Sequence, residues 1–322
     1  MTTLLPARLP ERHGGCLHEA VFHAGVAALV DSVRPWVDEG LAADDPVVML
    51  LTKRTSEAIR DGLGANARHV VFGDMGEAGR NPARIISLWR VVYDENHRPG
   101  HHLRAIGEPV WPGRSADELS ECAHHEALLN RAFAHAPDLW LWCPYDTTLL
   151  APEVLAEAER NHPWVVRDGR RQPSDHYDEE GCLAAALDSP LSEPEGSVSE
   201  LVVEARTLRG LRRVVACQAA AAGLSPDRAG RLVLAISELA TNSIKHGGGR
   251  GRLRSWISDD RVLVNEVSDK GYIEDPLVGR SRPTSAEAGG RGMWLINELC
   301  DLVQLRSTAH DGTVVRVHMH CS

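Results

Sequence analysis

The sequence has no C-x-x-C pair, no apolar run of the roughly 18 residues that a membrane helix needs, and no excess of positive charge. Its seven cysteines are odd in number and scattered, which argues against a disulfide framework and for reduced thiols in a cytoplasmic setting. The opening stretch, Met1-Thr-Thr-Leu-Leu-Pro-Ala-Arg-Leu-Pro-Glu-Arg12, lacks the basic start and apolar centre of a secretion signal. A net charge of -10 excludes a general nucleic-acid binder, which would present a basic face. The loop Leu51-Thr-Lys-Arg-Thr-Ser-Glu57 contains no glycine, so the first half of the chain is not a P-loop nucleotide binder.

What remains is an ordinary soluble composition, 43% hydrophobic and 25% charged, on 322 residues that are enough for two cores. Buried-strand runs at Pro46–Leu51, His69–Phe72, His102–Gly107 and Asp138–Cys143 alternate with helical patterns. Those helices are expected over Leu17–Glu39, around Thr55–Gly62, then at Pro82–Asn96 after an Asn81 cap, Ser115–His135 and Pro152–Asn161. The alternation predicts an α/β fold with a doubly wound parallel sheet over residues 1–168. Ligands of such sheets sit beyond the strand carboxyl ends, here Lys53 and Arg54, Gly107–Pro109 and Cys143–Asp146. The histidines grouped near Cys16, His18 and His23, and again at His97, His101, His102, His124 and His125, lack zinc-site spacing and read as ordinary solvated or capping residues. Cys143 reads as a structural cysteine, with a ligand-sensing thiol as the alternative.

Residues 169–199 are polar and rich in Pro, Ser and Gly, the composition of a linker with at most a short helix at Cys182–Leu187. From residue 200 to 322 the order changes to a strand, a long helix pair, a meander, a glycine-rich turn opening a helix, and a closing hairpin. That order predicts a two-layer α/β sandwich.

Within this second domain the helix ending Ile236-Ser-Glu-Leu-Ala-Thr-Asn-Ser-Ile-Lys-His-Gly247 places Glu238, Asn242 and His246 on one face at a spacing of four. Leu232, Val233, Ile236, Leu239, Ala240, Ser243 and Ile244 form the opposite, core-seeking arc. Asp269-Lys-Gly271 ends a strand, and Gly290-Arg-Gly292 opens a helix. Each signal alone is weak, but their order is specific. A carboxylate at Asp269 can accept from an exocyclic amine such as adenine N6, and Gly271 lets backbone approach a flat base. The Gly290–Gly292 amides suit phosphates, and Asn242 suits a Mg²⁺ ion bridging them.

These motifs resemble the GHKL ATPases, and more narrowly the anti-sigma-factor serine kinases of the RsbW type. Glu238-Leu-Ala-Thr-Asn242-Ser-Ile-Lys-His246 matches their N box, Val267-Ser-Asp269-Lys-Gly271 their first glycine box, and Gly290-Arg291-Gly292-Met-Trp-Leu-Ile-Asn297 their second. Ile273 stands where the first box usually has another glycine. The resemblance implies ATP and Mg²⁺ as cofactors, with Asn242, His246, Asp269, Gly271, Gly290, Arg291, Gly292 and Thr313 at the nucleotide. It also implies Glu238 as general base toward a serine of a STAS anti-anti-sigma partner, control of a sigma factor, and a possible homodimer. The alternative is a non-catalytic module that binds a sigma factor or its antagonist. A separate phosphoacceptor-histidine helix pair is missing, which disfavours a histidine kinase. The first domain resembles the MEDS sensory domain through Phe22-His-Ala-Gly-Val, Pro46-Val-Val-Met-Leu, Tyr93-Asp94-Glu95 and Ile106-Gly107-Glu108-Pro109. That likeness implies an unidentified small-molecule ligand.

Overall fold

The computed structural model describes residues 16–194, 196–283 and 290–321. The lead before Cys16 and residues 195, 284–289 and 322 lie outside the described residues. The chain divides into two compact units, one up to Leu183 and one from Ala184.

The first unit runs β1 (Leu17–His23), α1 (Val26–Ala42), β2 (Val47–Leu51), α2 (Lys53–Leu63), β3 (Val71–Asp74), α3 (Met75–Ala78), α4 (Ile85–Asn96), β4 (Leu103–Gly107), α5 (Ala116–Ala132), β5 (Leu139–Asp146), α6 (Pro152–Asn161), β6 (Trp164–Arg167) and β7 (Arg170–Pro173). The strands form one sheet in the order β3-β2-β4-β5-β1-β6-β7. Every pairing is parallel except that of the edge strand β7, which returns antiparallel on β6. This is the parallel α/β layer that the alternating pattern called for. One face packs against α1 and α2, where Val33, Trp36, Val37 and Ile59 meet Val21, Met49, Trp140 and Trp142. Burying each such side chain contributes roughly 1.5–3 kcal/mol.

One expected helix start is a strand. Leu17–His23 lies between β5 and β6 with its interior fully buried, and Gly25, at φ 83, turns the chain into α1. Polar His18 and Glu19 made the run look amphipathic, but a central strand tolerates them when partners exist. Glu19 has them: it accepts from the indole N–H groups of Trp140 and Trp142 and pairs with Arg171 on β7. Residues 170–173, expected as linker, are therefore the strand that brings this arginine to the sheet.

Helix α7 (Glu179–Asp188) leads into the second unit, which contains β8 (Ser199–Val203), α8 (Leu208–Ala221), α9 (Pro226–His246), β9 (Gly251–Ile257), β10 (Val262–Asp269), α10 (Arg291–Leu299), β11 (Leu302–Thr308) and β12 (Gly312–His320). The strands make an antiparallel sheet ordered β11-β12-β10-β9-β8. Helices α8, α9 and α10 bury Leu211, Val215, Leu232, Ile236, Met293 and Ile296 against Leu253, Leu263, Val315 and Val317, giving the two-layer sandwich. The sheet face turned away from these helices is mixed, with Trp256, Val262 and Val264 forming a small apolar cluster beside charged residues. Arg316 forks onto the buried Glu266, and Arg306 and Arg316 hold the carbonyls of Ser189 and Ser192.

Candidate functional site

Helix α9 carries the site because both of its ends are fixed. Ser225 caps the first turn by accepting from the Arg228 amide, Pro226 occupies the first helical position, and Gly247 follows the last. Its inner arc of Leu232, Ala235, Ile236, Leu239, Ala240 and Ser243 is buried. The opposite edge holds Glu238, Asn242 and His246 one turn apart.

A cavity of about 260 Å³ opens beside it, lined by Asn242, His246, Asp269, Gly271, Gly290, Gly292 and Thr313 among others. Glu238 and Arg291 do not line it. Leu239, Val267, Ile273, Val278, Met293 and Val315 supply an apolar wall. Cavities of this kind, mostly apolar with a few converging polar groups, are where small ligands bind.

Asp269 ends β10 and lies opposite Thr313 of β12 and Gly251 of β9. Its carboxylate is aimed by two donors: the Ser243 hydroxyl at 2.5 Å on Oδ2, and the Gly271 amide at 2.8 Å on Oδ1. Gly271 is needed for a steric reason, since a Cβ there would lie 2.8 Å from the His246 carbonyl oxygen. The loop after it is stapled by a directed relay. The Ile273 amide donates to Ser307 Oγ at 2.8 Å, Ser307 to Thr313 Oγ1 at 2.8 Å, and Thr313 to the Gly271 carbonyl at 2.9 Å. Thr313 thus spends its hydroxyl proton on the loop that carries Gly271.

At the far side Gly290 takes the left-handed conformation, φ 81, and starts α10 without any side-chain cap. The first amides of a helix have no intrahelical acceptor and point outward, which suits an anion. A Cβ on Gly292 would sit 3.3 Å from Asn242 Nδ2 and 3.5 Å from Glu238 Oε2, so these two side chains lie directly against that helix start. Arg291 is exposed beside it. An adenine-bearing triphosphate fits this layout: a fixed carboxylate for an amine, an apolar wall for a base, and a helix N-terminus with one amide oxygen for phosphates and Mg²⁺. A single protein oxygen is enough for Mg²⁺, which keeps most of its waters.

Ser243, which holds Asp269, and Ser307 of the relay are not among the site residues expected from sequence. Ser243 did carry a signal, because a hydroxyl on the buried arc of a helix must find a partner. In the first unit, the two acids at the crest turn out to be internally satisfied. Glu108 accepts from the Thr52 amide and Thr55 hydroxyl, and Asp146 from the Gly25 amide and Thr148. Burial raises the Glu108 carboxyl above its ordinary range despite the donors from Thr52 and Thr55.

Known families match both units. Residues 17–163 match the family model of MEDS, the MEthanogen/methylotroph, DcmR Sensory domain, and residues 201–319 match that of the histidine kinase-like ATPase domain. No curated protein matches the chain. Among solved structures, the crystal structure of the RsbU and RsbW domains of Rv1364c from Mycobacterium tuberculosis is similar at 16% identity and a TM-score of 0.30, over 39% of this chain and 32% of that one. The protein therefore spans about a third of that relative's length. Together the two family matches show a chain that joins a MEDS sensory domain to a histidine kinase-like ATPase domain.

Proposed function

We propose that the second domain binds ATP with Mg²⁺ and works as an anti-sigma-factor-type protein serine kinase, its substrate a serine on a STAS-domain anti-anti-sigma partner. The first domain modulates it in response to a small molecule, and the circuit controls a sigma factor. The observation that carries this reading is the cleft itself, where a doubly held Asp269, Asn242 and the uncapped start of α10 line one cavity.

Asp269 accepts from the adenine amine, and the apolar wall excludes water from the base. Asn242 holds the metal, and the α10 amides hold phosphate oxygens. Glu238, one turn before Asn242 and 3.5 Å from the Cβ position of Gly292, accepts the proton from the attacking serine hydroxyl. ATP, when bound, supplies the transferable phosphoryl group, with Mg²⁺ neutralising its charge.

Calorimetry with Mg²⁺ and ATP tests the binding step. Wild type is expected to bind with on the order of -4 to -8 kcal/mol, and Asn242→Ala to lose binding. A phosphotransfer assay on STAS-domain proteins follows, in which Glu238→Gln binds ATP but loses about 10²–10⁴-fold in rate. A wild type that does not bind ATP would overturn the proposal. Binding without transfer would favour the non-catalytic module, a reading supported by Ile273 where the kinase motif has glycine.

A further inference from the structure

Four side chains that lie far apart in the sequence meet inside the first domain, on the sheet face opposite Trp36. His18 comes from β1, Cys143 from β5, Glu126 from α5, and His162 from the residue that follows α6. All four are buried, and one donor atom from each lies within 4.8 Å of every other. We propose that this cluster is a binding site for one divalent transition-metal ion of the zinc class, held by His18 Nε2, His162 Nε2, Cys143 Sγ and one oxygen of Glu126.

The spacing carries the first part of the case. A tetrahedral ion with bonds of about 2.0–2.3 Å sets its ligand atoms roughly 3.3–3.6 Å apart. Here His18 Nε2 lies 3.3 Å from Cys143 Sγ and 3.0 Å from Glu126 Oε2. Glu126 Oε2 in turn lies 3.5 Å from His162 Nε2 and 3.6 Å from Cys143 Sγ. Four edges of a tetrahedron are thus already near their bonded length.

The second part is how both rings are aimed. His162 Nδ1 lies 2.7 Å from the Ala158 carbonyl, which can only accept, so Nδ1 carries the proton and Nε2 presents a lone pair. Among the described residues that Nε2 has no hydrogen-bond partner. His18 Nδ1 lies 2.9 Å from Asn130 Oδ1, and the Asn130 amide is oriented by donating to the carbonyls of Asn161 and Glu126. Its proton is therefore also on Nδ1, and its Nε2 also points inward. Outer acceptors that fix the tautomer in this way are the usual support of metal-binding histidines. The second carboxylate oxygen of Glu126 accepts from Tyr145 at 3.1 Å, leaving Oε2 for the centre.

Without an ion, two imidazole lone pairs and one carboxylate oxygen converge in a dry interior beside the Cys143 thiol. An ion replaces the thiol proton, which is released to solvent on binding. One thiolate, two imidazoles and a carboxylate with no open position form the closed arrangement of a structural ion, which would tie β1, β5, α5 and the end of α6 together.

The test uses the full chain carrying Cys217→Ser to remove the exposed thiol, stripped of metal and titrated with Co²⁺ alone, then with Zn²⁺ alone. One equivalent per chain is expected, with the visible bands of tetrahedral cobalt and a thiolate-to-cobalt charge-transfer band that Cys143→Ser abolishes. X-ray absorption on the Zn²⁺ form should show one sulfur at about 2.3 Å and three N/O ligands at about 2.0–2.1 Å. This reading needs no ligand variant, so it stands even if Cys143→Ser fails to fold. A chain that takes up no stoichiometric ion, a first shell without sulfur, or a charge-transfer band that persists in a folded Cys143→Ser variant overturns the proposal.

Discussion

In the first domain four potential ligands meet within a closed layer between a parallel sheet and its helices, whereas in the second a row of polar groups lines an open cleft beside an antiparallel sheet. The cleft is assembled from short local pieces: one helix face, one strand end, one helix start. Each piece works because neighbours in sequence are neighbours in space. The buried cluster has no such piece, since residues 18, 126, 143 and 162 are joined only by the strand order β5-β1 and by the packing of α5 and α6. An open site tolerates groups that water can satisfy, while a closed one obliges each polar atom to face another.

The widest separation between the two sites should appear in acid. Burial, with the charge of His18 acting in the same direction, holds the His162 imidazole down at about 3, against an ordinary value of 6.5. Below pH 6.5 the unfolded chain takes up a proton that the fold refuses. Stability is therefore full above 6.5 and falls as pH drops toward 3. Burial pushes Glu126 up, but His162 and His18 outweigh it and hold the carboxyl at about 2, so its contribution is full above its ordinary 4.5 and fades below. Each group adds a slope of up to about 1.4 kcal/mol per pH unit within its window. The groups that face them are His18 on β1, Cys143 and Tyr145 on β5, and His125 on α5. Urea unfolding of the metal-stripped chain between pH 7 and 4 measures this, with His162→Gln expected to flatten the upper part of the profile. A wild-type profile that is flat from pH 6.5 to 5 would break the contrast between a closed and an open site.

Legibility from sequence follows the same division. The α9 face, Asp269, Gly271 and the Gly290–Gly292 turn stand where their spacing put them, because helix period and strand ends are local properties. Ser307 was invisible because its role depends on the β11–β12 register, which pairs it with Thr313. His18 and His23, grouped by sequence, sit five apart on a strand and so point to opposite faces. His23 caps its own turn through the Gly25 carbonyl. In the second histidine group, His97 lies 3.4 Å from Asp138 and His124 3.4 Å from Glu121, each with its own acid. The neighbours of His18 come from three other parts of the chain, and one of them, Cys143, reads from sequence as a structural cysteine. Strand β1 reads as a helix from sequence because the partners of its polar residues are distant in the chain, Trp140, Trp142 and Arg171 for Glu19 and Asn130 of α5 for His18.

Gly247→Ala is the next largest test and separates geometry from backbone strain. Gly247 has φ -93, ordinary for any L residue, yet a Cβ there would lie 2.3 Å from Asp269 Cγ. The carboxylate must swing off Ser243 and the Gly271 amide, so the hydrogen bond to a base amine is lost while the fold survives. A charged hydrogen bond is worth about 1.5–3 kcal/mol, so ATP affinity measured by calorimetry should fall about 10–100-fold. Unchanged affinity would mean that Asp269 does not read the base.

Ile273→Ala has the smallest expected effect and decides what the departure from the glycine box means. Ile273 lines the cavity and is half-buried against the core, while its backbone is tied to Ser307. In that position its side chain adds apolar wall for a flat base, and the loop path is set by the serine and threonine relay. Removing the outer carbons of a half-buried isoleucine should cost about 1 kcal/mol, close to a fivefold loss of ATP affinity. Tighter binding in Ile273→Ala would instead show that the isoleucine occludes the base site. That outcome would move the second domain toward a surface that recognises its partner without using nucleotide.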